Sequence, residues 1–144
     1  MSNPIISDER AIANALGTFA RILDRKEWPR SGDVFAHDVT FNYGDGREQS
    51  GLEAMIANFT HYGSIHGASQ HLLGSIQIEI DGDRAITNAY VQARHQGRGD
   101  KAHLYIDTNG EYMDKWERRP EGWRIVRRDV RWDLMMGDMS VLMS

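Results

Sequence analysis

Cysteine is absent from this 144-residue chain. The absence excludes disulfides, a thiol nucleophile and thiolate ligands for a metal. A run of about 18 apolar residues, as a membrane span needs, is missing too. The first residues, MSNPIISDER, lack the basic and apolar regions of a signal peptide. We therefore expect a soluble, cytoplasmic protein without a membrane partner.

A surplus of positive charge is also missing, since 17 basic residues face 21 acidic ones and the net charge is -4. A nucleic-acid-binding surface or an anionic-membrane anchor thus has no basis in composition. A small, roughly neutral partner fits better. The length suits a single domain over residues 1–144.

Motifs for metals, nucleotides and hydrolase triads are absent. The six histidines show no H-x-x-x-H or H-E-x-x-H spacing, and there is no G-x-S-x-G elbow, P-loop or G-x-G-x-x-G. We expect neither a metal nor a cofactor.

Two amphipathic helices are predicted in the first half of the chain. Ser7 can cap the first, which ends at Asp24, and SGLEAMIANF opens the second with Ser50 and Glu53 in capping-box spacing. Between them we expect a short helix through Val34 and then a strand and turn in DVTFNYGDG.

From residue 71 onward the apolar period changes from helical to alternating, with turns at DGD, GRGD and PEG. Four long antiparallel strands follow from this pattern. We predict an α+β fold in which the N-terminal helices pack over one face of a curved antiparallel sheet. The methionine-rich tail, WDLMMGDMSVLMS, suits either a mobile cover for a pocket or a packed C-terminal segment.

Asp24 and His71 are the first candidates for chemistry. A buried carboxylate accepting one ring N–H would leave the other nitrogen of the imidazole as a general base. The structural alternative is a histidine at the start of a strand, bonded to backbone. Strict alternation from Ile76 to Ile80 places His71 on the opposite face of a regular strand. Either those isoleucines pack elsewhere or, as we favour, a bulge near Gly74 turns His71 inward.

Arg128 is the candidate cation of the last strand. In WRIVRRDVRWD the even positions are the more apolar ones in the second half of the stretch, and Arg128 lies among them between Val126 and Val130. A buried arginine needs an anionic ligand or a structural ion pair. The candidate partners for such a pair are Asp114, Asp129 and Glu117.

The order of FARILDRKEW, DVTFNYGDG, SGLEAMIANF, QHLLGSIQIEIDGDRA and WERRPEGWRIVRRDVRW resembles the SnoaL-like branch of the NTF2-like superfamily over roughly residues 7 to 134. The resemblance implies a cone-shaped, curved antiparallel sheet closed by N-terminal helices. Hexachlorocyclohexane dehydrochlorinase, bile-acid 7α-dehydratase and scytalone dehydratase are members of that superfamily. In the first two, an aspartate and a histidine match Asp24 and His71, and the resemblance implies that they abstract a proton.

The resemblance also implies that Arg128 assists as an electrophile. Such relatives carry a lysine or tyrosine five residues before the aspartate, where this chain has Phe19. Tyr43 is our substitute acid for the leaving group, and an ordinary strand aromatic is the alternative.

We therefore expect a cofactor-independent lyase that acts on a small apolar, ring-bearing substrate and releases water, halide or aldehyde. The catalytic candidates are His71, Asp24, Arg128 and Tyr43. The substrate-binding candidates are Phe19, Trp28, Phe59, Tyr112, Asp114, Trp116 and Trp132. An isomerase or cyclase with the same base, or a non-catalytic NTF2-like ligand-binding module, remains the alternative. We expect a homo-oligomer, a trimer rather than a dimer.

Overall fold

The structure, a computed structural model, describes residues 3–144 and contains two α-helices that precede most of a six-stranded sheet. Helix α1 spans Pro4–Asp24 and helix α2 spans Leu52–Gly63. Short 3₁₀ helices lie at Trp28–Asp33, Gly99–Lys101 and Met139–Leu142.

The sheet has the strand order β2-β1-β6-β5-β4-β3. Its strands are β1 (Phe35–Asn42), β2 (Gln49–Ser50), β3 (Ser69–Asp81), β4 (Arg84–Gln96), β5 (Tyr105–Arg119) and β6 (Gly122–Gly137). The sheet is curved and unclosed, the helices pack over it, and the predicted α+β fold with four long antiparallel strands is confirmed.

One strand pair departs from the predicted antiparallel sheet, because β1 runs parallel to β6. The two strands are far apart in sequence, and parallel neighbours need a long crossover, which α2 and the intervening strands provide here. The sheet is therefore mixed at one junction.

Both predicted helix caps are wrong. Asn3 caps α1, its side-chain oxygen accepting the Ile5 N–H at 3.0 Å, and proline occupies the first helical position. At α2 the N-cap is Gly51, which makes no side-chain cap, because Ser50 is already committed to β2. The short helix expected at Val34 is also displaced, lying instead at Trp28–Asp33.

A bulge in β3 reverses the side-chain alternation of that strand. The pairing with β4 shifts between Gly74 and Gln77, and Ser75 adopts a left-handed φ of 46°. His71 consequently lies on the half-buried face before the bulge, and Ile78 lies on that face after it. The bulge that we expected near Gly74 is confirmed.

A bulge at Val126 of β6 was not predicted. Neighbouring β5 residues pair with Ile125 and Arg127, so Val126 is the extra residue. Ile125 before it and Arg128 after it are both fully buried. Val126 therefore does not share the inner face with Arg128, contrary to the alternation that we read from the sequence.

The core lies between the helices and the inner face of the sheet. The odd-numbered residues of β4 are mostly small, and they face this core, as the alternation in the sequence predicts. The largest fully buried apolar side chains are Ile12, Leu16, Phe19, Ile22, Phe35, Phe41, Met55, Ile106, Tyr112, Trp116 and Ile125. No helix within residues 3–144 has the length and apolar character to cross a membrane.

Candidate active site

A cavity of about 330 Å³ opens between α2, the inner face of the sheet and the C-terminal segment. Its volume lies at the lower end of the range for small-molecule sites. The wall is mainly apolar and aromatic, with polar groups at one side. The lining side chains are Leu23, Trp28, Tyr43, Asp45, Asn58, Phe59, Tyr62, His66, Ser69, His71, His95, Thr108, Tyr112, Trp132, Met135, Met139 and Leu142.

Asp24 and His71 meet beside this cavity. The last residue of α1 is Asp24, and α1 packs against β3, the edge strand that carries His71. The ring Nδ1 of His71 lies 2.6 Å from Asp24 Oδ1, and the His71 backbone N–H donates to Oδ2 at 2.9 Å. Ser69 Oγ donates to Oδ1 at 3.0 Å.

These hydrogen bonds decide the charge of Asp24. Burial by itself would raise the pKa of this carboxyl, but the hydrogen bonds from His71 and Ser69 outweigh burial and lower the pKa below its ordinary value. Asp24 is therefore a carboxylate at neutral pH and accepts the Nδ1–H of His71.

The second ring nitrogen of His71 is left for a ligand. Within residues 3–144 its Nε2 makes no hydrogen bond, and the only buried side-chain nitrogen or oxygen without a partner is Gln49 Nε2. The Nε2 of His71, a residue that lines the cavity, is thus open to it. In the neutral imidazole this nitrogen carries a lone pair, which is what a general base needs.

Two more histidines lie beside His71. The ring centroid of His95 is 5.4 Å from that of His71 and 4.7 Å from that of His66. Burial lowers the pKa of His95 to about 4, and nearby His71 and His66 act in the same direction. Burial likewise lowers the pKa of His66. Both rings are neutral at pH 7.

Arg128 is fully buried and paired with Asp114. The guanidinium makes two parallel hydrogen bonds to the Asp114 carboxylate, each 2.8 Å long. It also lies against the rings of Phe19 and Tyr112, at 4.2 and 4.0 Å from their centroids. Of the partners considered from the sequence, Asp114 is the one found, and the pair is a structural ion pair.

Tyr43 connects that ion pair to the cavity. Its hydroxyl accepts a hydrogen bond from Arg128 Nη1 at 3.3 Å, and the tyrosine lines the cavity. Burial raises the pKa of Tyr43, although the Arg128 guanidinium opposes the shift. The hydroxyl thus keeps its proton at neutral pH while a cation supports the charge that would form on losing it.

The predicted site residues divide into three groups, the first of which is Asp24 alone, whose carboxylate contacts His71 without lining the cavity. Tyr43, Trp28, Phe59, His71, Tyr112 and Trp132 line the cavity. Phe19, Asp114, Trp116 and Arg128 are fully buried and do not line it, so they are not direct ligand contacts. Trp116 instead donates its Nε1–H to Thr87 at 2.9 Å in the core, and Phe19 packs on Arg128.

The C-terminal segment is folded against the cavity. Met135, Met139 and Leu142 line it, and Val141 is fully buried. Lys101 Nζ holds the Ser140 carbonyl at 2.7 Å. The tail is thus a packed segment that also covers part of the cavity, so this arrangement combines features of both alternatives.

The cavity residues that were not predicted as site candidates from the sequence include His66, Ser69 and His95. A signal existed for His95, because it continues the inward odd-numbered face of β4. For Ser69 the signal was its position two residues before His71, which places both side chains on the same face of β3. Nothing in the sequence marks His66, which reaches the cavity from the loop between α2 and β3. No group of three or more His, Asp or Glu side chains in residues 3–144 is placed to hold a metal ion.

Comparison with known proteins gives one family match and several relatives. The family described as the SnoaL-like domain matches residues 4–129. An uncharacterized protein of Mycobacterium tuberculosis, Rv2910c, is 28% identical over 131 residues, which cover 85% of this chain and 84% of the relative.

Solved structures share the fold at low identity. The Kfla4162 protein from Kribbella flavida superposes with a TM-score of 0.86 at 21% identity, covering 97% of this chain and 99% of the other. Hexachlorocyclohexane dehydrochlorinase LinA-type3 from Novosphingobium barchaimii superposes with a TM-score of 0.80 at 13% identity, covering 92% and 91%. At identities this low, the comparison with these structures shows a shared fold and nothing more.

Proposed function

Because this chain belongs to the SnoaL-like family of the NTF2-like superfamily, we propose that it is a cofactor-independent lyase acting on a small apolar, ring-bearing molecule. His71 acts as the general base, Asp24 orients it, and Tyr43 supplies a hydroxyl that can donate a proton. Loss of a leaving group such as water, halide or aldehyde follows proton abstraction.

The observation that carries this proposal is the arrangement around His71. Its Nδ1 is engaged by the Asp24 carboxylate at 2.6 Å while its Nε2 is open to the cavity. A carboxylate on one nitrogen fixes the tautomer and stabilises the imidazolium that forms when the other nitrogen takes a proton. A merely structural histidine would not need its second nitrogen to face a ligand site.

Release of an aldehyde requires the base to take a hydroxyl proton: the O–H electron pair forms the carbonyl, the carbon–carbon bond breaks, and its electron pair stays on the remaining fragment, which takes up a proton. Release of water or halide is instead an elimination across two neighbouring carbons. His71 Nε2 takes a proton from the first carbon, and the C–H electron pair becomes a new carbon–carbon double bond. The bond from the second carbon to the leaving group breaks, and its electron pair departs with that group. A hydroxide leaving group needs a proton, which the Tyr43 hydroxyl or the newly formed imidazolium can donate.

In this account Arg128 is a positioning residue. It is separated from the cavity but donates to the Tyr43 hydroxyl at 3.3 Å, so it supports negative charge on Tyr43. Asp114 holds the guanidinium in place with two hydrogen bonds. This replaces the direct electrophilic role that the family resemblance implied.

The dehydrochlorinase among the structural neighbours supports elimination chemistry in this fold. The aromatic side chains that line the cavity, among them Trp28, Phe59 and Trp132, support a ring-bearing substrate, since flat aromatic walls pack well on flat rings.

The experiment uses 3-hydroxy-1-tetralone, a neutral two-ring ketone whose loss of water yields 1-naphthol. We expect the protein to accelerate 1-naphthol formation and the exchange of solvent deuterium into the C2 position of 1-tetralone, which has no leaving group. Both activities should be lost in His71→Gln and retained in His37→Gln, because His37 is an exposed histidine away from the cavity.

The outcome separates the candidate functions. Exchange without 1-naphthol formation would indicate an isomerase or cyclase that uses the same base. Neither activity, with binding retained, would indicate a ligand-binding module. Equal activity in wild type and His71→Gln would contradict the role of His71.

We also propose that the chain forms a homo-oligomer, a trimer rather than a dimer, through the outer face of the sheet. Leu72 and Leu134 are each 60% exposed at the two ends of one row that crosses β3 to β6 through Gln92 and Asn109. Exposed leucines at both ends of such a row suit contact with a second copy of the chain. Light scattering should give a trimer mass for wild type and a monomer for Leu134→Glu, and a monomeric wild type would contradict the proposal.

A further inference from the structure

His66 is the cavity histidine whose orientation is most firmly fixed by backbone. Its Nδ1 lies 2.9 Å from the Gly67 carbonyl oxygen, which can only accept, so Nδ1 of the neutral ring carries the proton. The same loop is anchored to β4, because the Gly67 N–H donates to Gln96 O at 2.8 Å.

Lys26 fixes the same loop from the other side. Its ammonium group donates to the His66 carbonyl at 2.8 Å and also to the carbonyl of Gly63 at the end of α2. Lys26 has a left-handed φ of 57°, an uncommon conformation for a residue other than glycine, directly after the C-cap of α1. Lys26 is therefore a positioning residue for His66.

The remaining nitrogen of His66 has no protein partner. Its Nε2 makes no hydrogen bond within residues 3–144, and it is not among the buried unpartnered atoms of that part of the chain. His66 is only 5% exposed and lines the cavity, so this small exposure is toward the cavity. The atom is a pre-oriented hydrogen-bond acceptor.

Cations are missing from the cavity wall. None of the described residues that line it is lysine or arginine, and Asp45 is its one carboxylate. A carboxylate or phosphate ligand would find no charge partner there. A neutral ligand with a hydroxyl donor fits both the aromatic wall and the open nitrogen of His66.

We infer that His66 is a specificity-determining residue that accepts a hydrogen bond from a hydroxyl group of an uncharged, ring-bearing substrate. The inference rests on the proposed function for the cavity and adds the polar group by which the substrate is recognised. The substrate hydroxyl is held at His66 while the reacting carbon lies at His71. The ring of His95 lies beside both, with its centroid 4.7 Å from that of His66 and 5.4 Å from that of His71.

Binding rather than turnover tests this inference, so it is independent of the proposed chemistry. Titration calorimetry is carried out with 2-naphthol, 2-methoxynaphthalene and 2-naphthoate. The methyl ether keeps the rings but cannot donate, and the acid carries a negative charge. We expect wild type to bind 2-naphthol about tenfold or more tightly than either analogue, since an unpaired buried acceptor forfeits a hydrogen bond.

Two variants locate the acceptor. In His66→Phe the preference for 2-naphthol over its ether should disappear, whereas His66→Gln, which keeps an acceptor oxygen, should retain part of it. Exposed His37→Gln is the matched control and should behave as wild type. A thermal melt with a single transition verifies that each variant is folded.

Several results would overturn the inference. Equal wild-type affinity for 2-naphthol and its ether would do so even if a His66 variant failed to fold. An undiminished preference in folded His66→Phe would do so too, as would tighter binding of 2-naphthoate. By contrast, selective naphthol binding without 3-hydroxy-1-tetralone turnover would support the role of His66 and contradict the lyase activity.

Discussion

The carboxylate of Asp24 holds His71 at two points, accepting its backbone N–H at 2.9 Å and facing its ring Nδ1 at 2.6 Å. The first contact is possible because β3 is an edge strand, whose outward N–H groups are free of a neighbouring strand. One side chain thus fixes both the strand end and the imidazole ring.

The bulge in β3 should depend on a residue that tolerates a left-handed conformation. Ser75 has φ 46°, where a β-branched side chain is disfavoured by about 1–2 kcal/mol. In urea denaturation we expect Ser75→Val to be destabilised by that amount and Ser75→Gly to be at least as stable as wild type. Glu79→Val, an exposed position in the regular part of β3, is the control and should change little. Equal stability of the valine and glycine variants at position 75 would contradict the bulge geometry.

The buried ion pair should be costly to break from one side. Arg128→Met leaves the Asp114 carboxylate buried without its partner, and we expect a loss of about 3–5 kcal/mol in the free energy of unfolding. The double variant Arg128→Met/Asp114→Leu should recover much of that loss.

The exposed pair of Arg94 and Asp107 provides the comparison. Arg94 is 64% exposed, and Asp107→Asn should lower stability by less than about 1 kcal/mol. If Arg128→Met lowered stability no more than Asp107→Asn, the central place of the buried pair in the fold would be refuted.

Stability should fall with acid before the carboxylates titrate. The pKa of His95 is lowered by burial from 6.5 to about 4, so between these values the unfolded chain binds a proton that the folded chain does not. Stability is then fully present above pH 6.5 and is lost as pH decreases toward 4. From pH 7 to pH 5 the loss attributable to His95 should be about 2 kcal/mol.

Urea denaturation at the two pH values measures this loss. His95→Gln should reduce the difference between pH 7 and pH 5, and His37→Gln should leave it unchanged. The lowered pKa of His66 acts in the same direction, so some pH dependence should persist in His95→Gln. A difference as large in His95→Gln as in wild type would show that His95 is not the group responsible.

The C-terminal segment should slow ligand release. It covers the cavity with Met139 and Leu142 and is held by Lys101. Truncation after Gly137 should increase the dissociation rate of 2-naphthol in stopped-flow measurements, whereas Lys115→Met, at an exposed lysine away from the cavity, should not. An unchanged rate after truncation would exclude a covering role.

Alternating and helical patterns predicted the order of the elements, because each half of the chain keeps one period. They also predicted the β3 bulge, since His71 and the isoleucines after it could share a face only through an irregularity. The bulge at Val126 of β6 produced no such conflict in the sequence, because Val126 is apolar and suits the inner face as well as Ile125 does. The alternation of apolar residues therefore predicts which face of the sheet a side chain occupies only between one bulge and the next.

The candidate site was partly predictable for a similar reason. Asp24 and His71 stood out because each interrupts or borders an apolar pattern. His66 lies in a loop without a pattern, and tertiary contacts of this loop with Lys26 and with Gln96 of β4 place it at the cavity. Phe19 and Trp116 were expected to contact the substrate but are buried behind the cavity, because the sequence cannot distinguish the wall of a cavity from the core behind it.

The central claim is that Asp24 and His71 act as one unit in proton abstraction. The most direct measurement is deuterium exchange into the C2 position of 1-tetralone by wild type, Asp24→Asn, His71→Gln and the double variant. Because Asp24 acts only through His71, the double variant should be no slower than His71→Gln alone. If the two substitutions instead multiplied their effects, or if Asp24→Asn exchanged deuterium at the wild-type rate, the two residues would not form a catalytic unit.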